Sequence, residues 1–474
     1  MLSQQGRYRP LFPTELEVLR FPVLCGVMSE ACVADCQTRH GTAASAVKVF
    51  QTNLEVSLNK LSRRNILAAS AAAGTATATT AFAGGLGNPD EPPQGLINTQ
   101  SNPRGAVDPG PQNPAISGQF PSAFNAPATD VSDLPQFWAS FNNAQRRIQD
   151  GGWARQVTQG DFAISESISG VNMRLDAGGI RELHWHLAAE WAYMSYGDCR
   201  ITVLDPAGRA YVADVKEGDI WYFPSGYPHS LQGLGPDGCE FILCFDDGKA
   251  SEFNTLLVTD WLAHTPPDVL AQNFGVPVET FSKIFSHDRW IFQGAVPGPL
   301  AADQDAVKNP NGPPPNPFTY SLASGPIAKQ TKGGLAQIAD SRNFKISTTV
   351  AAALVTVHPG GLRELHWHPN ADEWQYYVKG SAQMTVFNAG PKAATTNFNA
   401  GDIGYVKRSN GHYIKNVGNT DLVFLEVFNS DAFKDVSLSD WLTHAPPELV
   451  AAHLNISPED VAKFPNTKPE IMPV

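Results

Sequence analysis

Residues 181–191 read RELHWHLAAEW, and residues 363–374 read RELHWHPNADEW. Both stretches have the order Arg, His-Trp-His, Glu, and the equivalent histidines His184 and His366 lie 182 residues apart. Side chains alternate between the faces of an extended strand, so His184 and His186 face one way and the tryptophan between them faces the other. The repeat predicts two copies of one domain.

Each copy offers four metal ligands in the same order. A carboxylate follows each His-Trp-His triplet, and a third histidine comes 43 residues after the second in one copy and 44 in the other. A lone His-x-His on a strand is more often surface decoration or a satisfied core pair, but the recurrence of all four favours a metal site. Three neutral imidazoles and one carboxylate suit a divalent metal of intermediate hardness and leave two octahedral positions open. The predicted ligands are His184, His186, Glu190 and His229, then His366, His368, Glu373 and His412.

These motifs resemble those of the cupin family. The first motif is matched by Gly178, His184, His186, Glu190 and Gly197, and the second by Gly218, Pro224, Gly226 and His229. The later half repeats them with Gly360, His366, His368, Glu373 and Gly380, then Gly401, His412 and Asn416. The strings RELHWH and EWQYY are most similar to the bicupin oxalate decarboxylase family, over residues 137–463.

The predicted fold is all-β, with two tandem cupin domains, each a jelly-roll barrel with short helices at its C-terminal end. Short apolar runs bounded by Gly, Pro or Asp independently favour antiparallel strands in a sandwich or jelly roll. The predicted segments are a leader (1–83), a flexible linker (84–136), the N-terminal cupin (137–294), a Pro/Gly-rich linker (295–332) and the C-terminal cupin (333–474).

The leader carries a pattern typical of protein export. Arg63-Arg64 precedes an Ala/Thr-rich apolar run, and Ala81-Phe82-Ala83 is similar to a small-x-small cleavage site. The run is too short and too weakly apolar for a stable membrane span. We therefore predict export by the twin-arginine route to the periplasm. Residues 1–55 show no periodicity, which indicates a mis-assigned translation start or an extension of unrecognised type.

Composition limits the function further. A net charge of −12 over 474 residues argues against a nucleic-acid partner. Six cysteines are too few for a disulfide framework in a chain of this length. Cys199, Cys239 and Cys244 are expected as buried free thiols, or with one pair bridged in an oxidising compartment.

The family resemblance implies an enzyme that cleaves oxalate to formate and carbon dioxide. It implies manganese at two sites per chain, one per cupin, dioxygen as redox cofactor, and a homo-oligomer, a trimer or hexamer. An oxalate oxidase that releases hydrogen peroxide is one alternative, and a non-enzymatic metal-binding bicupin is another.

Two arginines are candidate substrate-binding residues. Arg181 and Arg363 each lie three residues before the first histidine of their copy. On a regular strand this odd spacing directs them to the opposite face, so a bulge must redirect them if they line the pocket. The residues alone leave a structural role equally open. The resemblance implies that each arginine holds the anionic substrate, for which a guanidinium is well shaped.

Glu252 is the candidate acid. In the oxalate decarboxylase family the matching loop is a lid, which here reads Ser-Glu-Phe-Asn over 251–254, and its glutamate moves the proton. Phe253 and Asn254 replace residues that are often Asn and Ser in that family. In the second copy the matching acid is Glu426 on a strand, with pairing to Arg363 as the alternative role. Lys407 stands where the cupin motif has proline, which favours the first site for catalysis.

The tryptophans of the two His-Trp-His triplets face away from the predicted metals. Core packing is the expected role of Trp185 and Trp367. The resemblance also allows a stacked pair across a subunit contact that passes electrons between metals.

Overall fold

The computed structural model describes residues 113–131, 134–390, 392–468 and 470–474. The predicted leader and much of the first predicted linker lie outside these residues, so the export signal stays a prediction. Every helix in the described part of the chain is too short or too polar to cross a membrane.

The first domain is a barrel of two packed antiparallel sheets. Its strands, with the preceding β1, are β1 (Trp138–Ser140), β2 (Arg147–Gln149), β3 (Gly152–Val157), β4 (Ser169–Leu175), β5 (Gly179–Trp185), β6 (Glu190–Leu204), β7 (Ala210–Lys216), β8 (Ile220–Phe223), β9 (His229–Gly233), β10 (Cys239–Phe245), β11 (Leu256–Leu257) and β12 (Ile291–Gln293). One sheet has the order β2-β3-β4-β10-β6-β8, and the other has β7-β6-β9-β5-β11 with β12 beside β5.

The long strand β6 belongs to both sheets of the first domain. It turns from one sheet to the other at Gly197, whose φ of 69° is a conformation that residues with a Cβ rarely adopt. Apolar side chains from both sheets, such as Val171 of β4 and Leu231 of β9, meet in one buried core.

The second domain repeats this plan. Its strands are β13 (Thr319–Tyr320), β14 (Ile327–Thr331), β15 (Gly334–Ala339), β16 (Ala351–Val357), β17 (Leu362–Trp367), β18 (Glu373–Lys379), β19 (Ser381–Asn388), β20 (Lys392–Asn399), β21 (Asp402–Val406), β22 (Gly411–Asn416), β23 (Leu422–Phe428), β24 (Val436–Ser437) and β25 (Ile471–Met472). The sheets have the orders β1-β21-β18-β23-β16-β15-β14 and β20-β19-β22-β17-β24, with β25 beside β17.

Short helices accompany each barrel. They are α1 (Pro114–Gln119), α2 (Pro121–Phe124), α3 (Val258–Ala263), α4 (Pro267–Phe274), α5 (Leu300–Ala306), α6 (Leu438–Thr443), α7 (Pro447–Leu454) and α8 (Pro458–Val461). Helices α4 and α7 both begin with proline at their first position, where no backbone N–H is needed. The prediction of an all-β fold with two tandem barrel domains and short C-terminal helices is confirmed.

Several segments that the sequence analysis assigned to linkers form regular structure. Residues 113–131 lie against the second domain, where α1 and α2 pack on β20 and Val131 bridges Ala393. Strand β1 pairs with β21 of the same domain. Within the predicted linker 295–332, α5 packs on β7, β13 pairs with β8 of the first domain, and β14 pairs with β15 of the second. These segments therefore cover edge strands of the two barrels.

The two domains meet through a shared apolar core with equivalent polar contacts on each side. The Tyr222 hydroxyl bonds the Thr349 hydroxyl at 2.9 Å, and the equivalent Tyr405 hydroxyl bonds Ser167 at 2.8 Å. Trp374 fills the space above Gly170, where a Cβ would lie 2.4 Å from the indole ring. This glycine allows the second domain to approach the first closely.

Candidate metal centres

The first candidate centre combines three strands of the first barrel. His184 and His186 lie at and just beyond the end of β5, Glu190 begins β6, and His229 begins β9. One ligand atom from each of the four residues lies within 4.8 Å of the others, and all four side chains are buried. The structure therefore brings together the whole predicted ligand set of the first copy.

The second candidate centre has the same construction. His366 lies on β17 and His368 just after it, Glu373 begins β18, and His412 lies on β22. Their ligand atoms also lie within 4.8 Å of one another, and all four side chains are buried.

Backbone carbonyls orient the imidazoles. The Nδ1 atoms of His184, His229 and His366 lie 2.6, 2.8 and 2.7 Å from the carbonyl oxygens of the residues two positions before them. The Nδ1 atom of His368 lies 2.8 Å from the carbonyl oxygen of Lys434. Because such a contact fixes Nδ1 as the donor, Nε2 is left as the atom available to a metal.

Buried polar atoms that have no hydrogen-bond partner among the described residues test whether a metal fits. They include Nε2 of His186, His229, His366, His368 and His412, and Oε2 of Glu190 and Glu373. In the second centre Oε2 of Glu373 lies 3.1 Å from Nε2 of His368 and 2.9 Å from Nε2 of His412. Spacings of roughly 3 Å are those of neighbouring ligands on an octahedral ion with bonds of about 2.1 Å. Both donor sets fit a six-coordinate divalent metal.

Four of the ligands have protonation states that suit metal binding, whereas at His368 burial is outweighed by the charge and hydrogen bond of Glu373, which raise the pKa. Burial lowers the pKa of His184 and of His366 well below the usual value, and it lowers the pKa of His186 to about 3, so these imidazoles are neutral. Burial opposes ionisation of Glu190, but hydrogen bonding and charge from His229, His186 and Trp221 lower its pKa to about 2. Neutral histidines beside an ionised carboxylate are the forms that bind metals.

The two ligand carboxylates are held by different donors. Trp221 Nε1 donates to Glu190 Oε1 at 2.8 Å, whereas Gln375 Nε2 donates to Glu373 Oε1 at 2.7 Å. In strand register, Trp221 and Ala192 face each other in the first domain, and Gly404 and Gln375 occupy these places in the second. The absent side chain of Gly404 provides the space for Gln375, since a Cβ there would lie 2.4 Å from its Oε1.

Both arginines lie inside the barrels because each strand carries an irregularity. The register between β5 and β9 shifts between Arg181 and His184, and the register between β17 and β22 shifts between Arg363 and His366. The bulge that the odd spacing required is thus present in both copies. Arg181 is 0% exposed, and its positive charge contributes to lowering the pKa of His184.

Glu252 lies beside the first centre. It begins a 3₁₀ turn, Glu252–Asn254, between β10 and β11, and its side chain is buried. Its Oε1 accepts from Arg181 Nε, and Arg181 Nη2 donates to Thr255 Oγ1 at 2.8 Å. Burial raises the pKa of Glu252 despite the charge of Arg181, so this carboxyl holds a proton more readily than an exposed glutamate does.

The second centre pairs its arginine differently. Arg363 Nη2 donates to Asp435 Oδ2 at 2.7 Å, and Arg363 Nε lies 3.4 Å from Glu426 Oε1. Asp435 occupies the place of Thr255, and Ala432 that of Glu252, when β24 is aligned with β11 by their pairing to the metal-bearing strands. Burial raises the pKa of Glu426 to about 7.

Other residues singled out in the sequence have clear positions. Trp185 contacts Trp261, and Trp367 contacts Trp441, with ring centroids 5.6 and 5.8 Å apart. Lys407 Nζ lies 2.8 Å from Glu166 of the first domain and 2.8 Å from Asp372, the residue before Glu373. Cys199, Cys239 and Cys244 are buried free thiols.

The residues that support the ligands and arginines were not predicted from the sequence. Trp221, Gln375, Thr255 and Asp435 were not identified as partners. One signal was available for two of them, because GDIW at 218–221 aligns with GDIG at 401–404, and a lost tryptophan implies that another side chain fills its place.

Comparison with known proteins identifies the family. The cupin family model matches residues 139–281 and again residues 321–462. The chain is 50% identical over 354 residues to the oxalate decarboxylase OxdC of Bacillus subtilis (strain 168), covering 74% of this chain and 91% of that protein. It is 39% identical over 377 residues to a probable oxalate decarboxylase of Arthroderma benhamiae, covering 79% of this chain and 92% of the relative.

A solved structure supports the same relationship. The chain superposes on Bacillus subtilis oxalate decarboxylase with a TM-score of 0.74 and 48% identity, covering 77% of this chain and 96% of that one. That structure comes from a study of the electron paramagnetic resonance fine structure of the relative's Mn(II) centres.

Proposed function

The chain belongs to the cupin family and, within it, to the bicupin oxalate decarboxylases, and from this premise we propose that it converts oxalate to formate and carbon dioxide with manganese and dioxygen. The observation that carries the proposal is the buried Arg181–Glu252 pair at the first centre. The pair would supply an anion-binding cation and a proton-transferring acid beside one cluster of metal ligands.

We propose that His184, His186, Glu190 and His229 hold one manganese ion and that His366, His368, Glu373 and His412 hold the other. Manganese, when bound, would supply the redox chemistry, with dioxygen as its redox cofactor. The relative's Mn(II) centres support this choice of metal.

Arg181 and Glu252 would perform the acid–base part of the reaction. The Arg181 guanidinium offers hydrogen bonds to an oxalate carboxylate and draws electron density from it. Glu252 takes the proton of hydrogen oxalate, the carbon–carbon bond breaks to release carbon dioxide, and Glu252 returns the proton to the remaining carbon to give formate. The overall change, hydrogen oxalate to formate plus carbon dioxide, is balanced in atoms and charge.

We assign turnover to the first centre. At the second, Arg363 is already paired with two carboxylates, Glu426 and Asp435, and an oxalate anion would have to displace one of them. Glu426 remains our candidate acid there, since its Oε2 is buried and has no hydrogen-bond partner among the described residues.

We also propose export to the periplasm and assembly into a homo-oligomer, a trimer or hexamer. The twin-arginine pattern supports export. Exposed tryptophans support assembly, because Trp261 of α3 and Trp441 of α6 are 64% and 59% exposed and lie at equivalent places in the two domains.

Product analysis tests the proposed function. The purified protein is loaded with manganese and supplied with oxalate at mildly acidic pH under air, and formate and hydrogen peroxide are quantified together. We expect one formate for each oxalate consumed, with little peroxide. Mostly peroxide would identify an oxalate oxidase, and neither product would support a metal-binding protein without this activity.

A further inference from the structure

Arg181 and Trp290 contact the lid over the first centre, residues 251–255, and one side chain from the neighbouring sheet adds a further contact. Gln156 of β3 presents its Oε1 to two lid donors, Ser251 Oγ and the backbone N–H of Glu252, each at 3.0 Å. The second contact fixes the backbone of the acid itself. Gln156 thus connects a rigid strand to the residue whose carboxyl lies against Arg181.

The second domain lacks both partners of this contact. Gln156 pairs with Val171 on β4, and the same register position in the second domain, opposite Ala353 on β16, is Ile338. Isoleucine offers no acceptor, and Ala432 stands in the place of Glu252. The domain that has the lid acid therefore has a glutamine acceptor at this position, and the domain without the acid has an isoleucine there.

The outer side of the lid borders an open space. Phe253 packs edge-on against Trp290 with ring centroids 5.4 Å apart, and the Arg147 guanidinium stacks 4.0 Å from the same tryptophan ring. A cavity of about 500 Å³ adjoins the lid and is lined by Phe253 and Gln156 together with Trp138, Asn143 and Asp161. The lid therefore has room to move once its contacts are released.

We propose that Gln156 is a positioning residue that keeps the lid closed and so sets how often Glu252 is available at the first centre. The cavity beside Phe253 gives the lid space to open. This inference rests on the proposed function, since it concerns the acid of that reaction.

The position of the lid decides between two balanced outcomes. With the lid closed, Glu252 returns its proton to carbon, and hydrogen oxalate yields formate and carbon dioxide. With the lid open, protonation at carbon fails, and hydrogen oxalate can lose two electrons to dioxygen. With one further proton this gives two carbon dioxide and one hydrogen peroxide. Loosening the lid should therefore raise the share of peroxide.

Amide hydrogen exchange of the manganese-loaded protein measures lid opening without reference to activity. An intramolecular hydrogen bond between neutral groups changes an opening equilibrium by roughly three- to tenfold, so Gln156→Leu should speed exchange of residues 252–254 about tenfold. Gln156→Asn, one methylene too short to reach both donors, should act in the same direction if the leucine variant folds poorly. Gln156→Glu keeps an acceptor and should stay near the wild-type rate.

Gln304→Leu is the matched control. Gln304 of α5 also bonds a backbone group, Val212 O at 2.9 Å, which belongs to β7 and not to the lid. It should leave lid exchange and the ratio of formate to peroxide unchanged. Unchanged lid exchange in both Gln156→Leu and Gln156→Asn would overturn the proposal, as would equal acceleration in Gln156→Glu.

Different results would overturn the proposed activity and the proposed role of Gln156. A wild-type protein that makes neither formate nor peroxide would overturn the proposed function, while lid exchange would still test Gln156. A wild-type protein that makes formate, with an unchanged product ratio in Gln156→Leu, would overturn the role of Gln156 alone.

Discussion

The two centres have the same types of ligand residue, but different residues neutralise their arginines. Arg181 faces one carboxylate, Glu252, which comes from a short loop, while Arg363 faces Glu426 from a strand and Asp435 from the loop before β24. A loop acid can leave and return, whereas a strand acid is fixed by the sheet. Equal ligand sets therefore do not imply equal chemistry.

Replacing the lid acid tests this distinction directly. Glu252→Gln keeps the side-chain volume and the contact to Arg181 but removes the transferable proton. General acid–base catalysis contributes roughly 10²- to 10⁴-fold, so formate production should fall at least about a hundredfold. Steady-state formate formation measures this change.

Glu426→Gln is the matched control in the second domain, since it removes the buried acid beside Arg363. We expect this variant to keep most of the wild-type rate of formate production. A greater loss in Glu426→Gln than in Glu252→Gln would transfer the reaction to the second centre.

Asp435 should make the free energy of unfolding decrease as the pH becomes acidic. Burial alone would raise its pKa, but the charges of Arg363 and Lys468 outweigh burial and lower it from 3.8 to about 2. Because the folded-state pKa is the lower one, Asp435 stabilises the fold fully above pH 3.8 and loses this contribution as pH falls to 2. The loss should be about 2 kcal/mol.

Chemical denaturation between pH 5 and 2 measures this contribution. The Asp435→Asn variant should lack that part of the pH dependence. Asp237→Asn, which removes an exposed partner of Arg174, is the control and should retain it. An identical pH dependence in wild type and Asp435→Asn would contradict the assignment.

At the scale of the elements, strands with strong local patterns were predictable. Apolar runs such as 171–175 and 241–244 lie in β4 and β10. The first alternates apolar with polar residues, and the second is the continuous apolar run of a strand buried on both faces. The bulge before His184 followed from an odd spacing combined with the expected role of Arg181. Gln156 and Asp435 were not predictable, since their partners come from other strands and no local pattern records a contact between distant segments.

The close approach between the domains depends on one strand position. A Cβ on Gly170 would lie 2.4 Å from the Trp374 ring, and this buried tryptophan cannot move without disturbing the shared core. Gly170→Ala should therefore destabilise the protein by about 1–3 kcal/mol, as overpacked cores do. Thermal unfolding measures the effect.

Gly298→Ala is the control for that substitution, because no atom lies within 4 Å of a Cβ built there. It should leave the unfolding temperature close to that of wild type. Equal unfolding temperatures for the two variants would show that the interface between the domains rearranges to accept a Cβ at position 170.

For the whole molecule, chain order and spatial order differ. Residues 113–131 and β1 precede the first domain in the chain, yet they cover β20 and β21 of the second. Composition indicated a flexible linker up to residue 136, because Pro, Gly and Asn are frequent there. What holds the described part in place is strand pairing to a domain that begins about two hundred residues later, which composition does not record.

The same two-domain arrangement predicts independent metal loading. Each barrel supplies a complete ligand set, so wild type should bind two manganese ions, and the double variants His184→Ala/His186→Ala and His366→Ala/His368→Ala should each bind one. With free metal a hundredfold above its dissociation constant, each site should stabilise the folded state by about 2.7 kcal/mol, so chelation should lower the unfolding temperature of wild type more than of either variant. Metal analysis and thermal unfolding measure both effects.

His264→Ala, at the exposed end of α3, is the control and should bind two ions. Loss of both ions in one double variant would show that the domains load together.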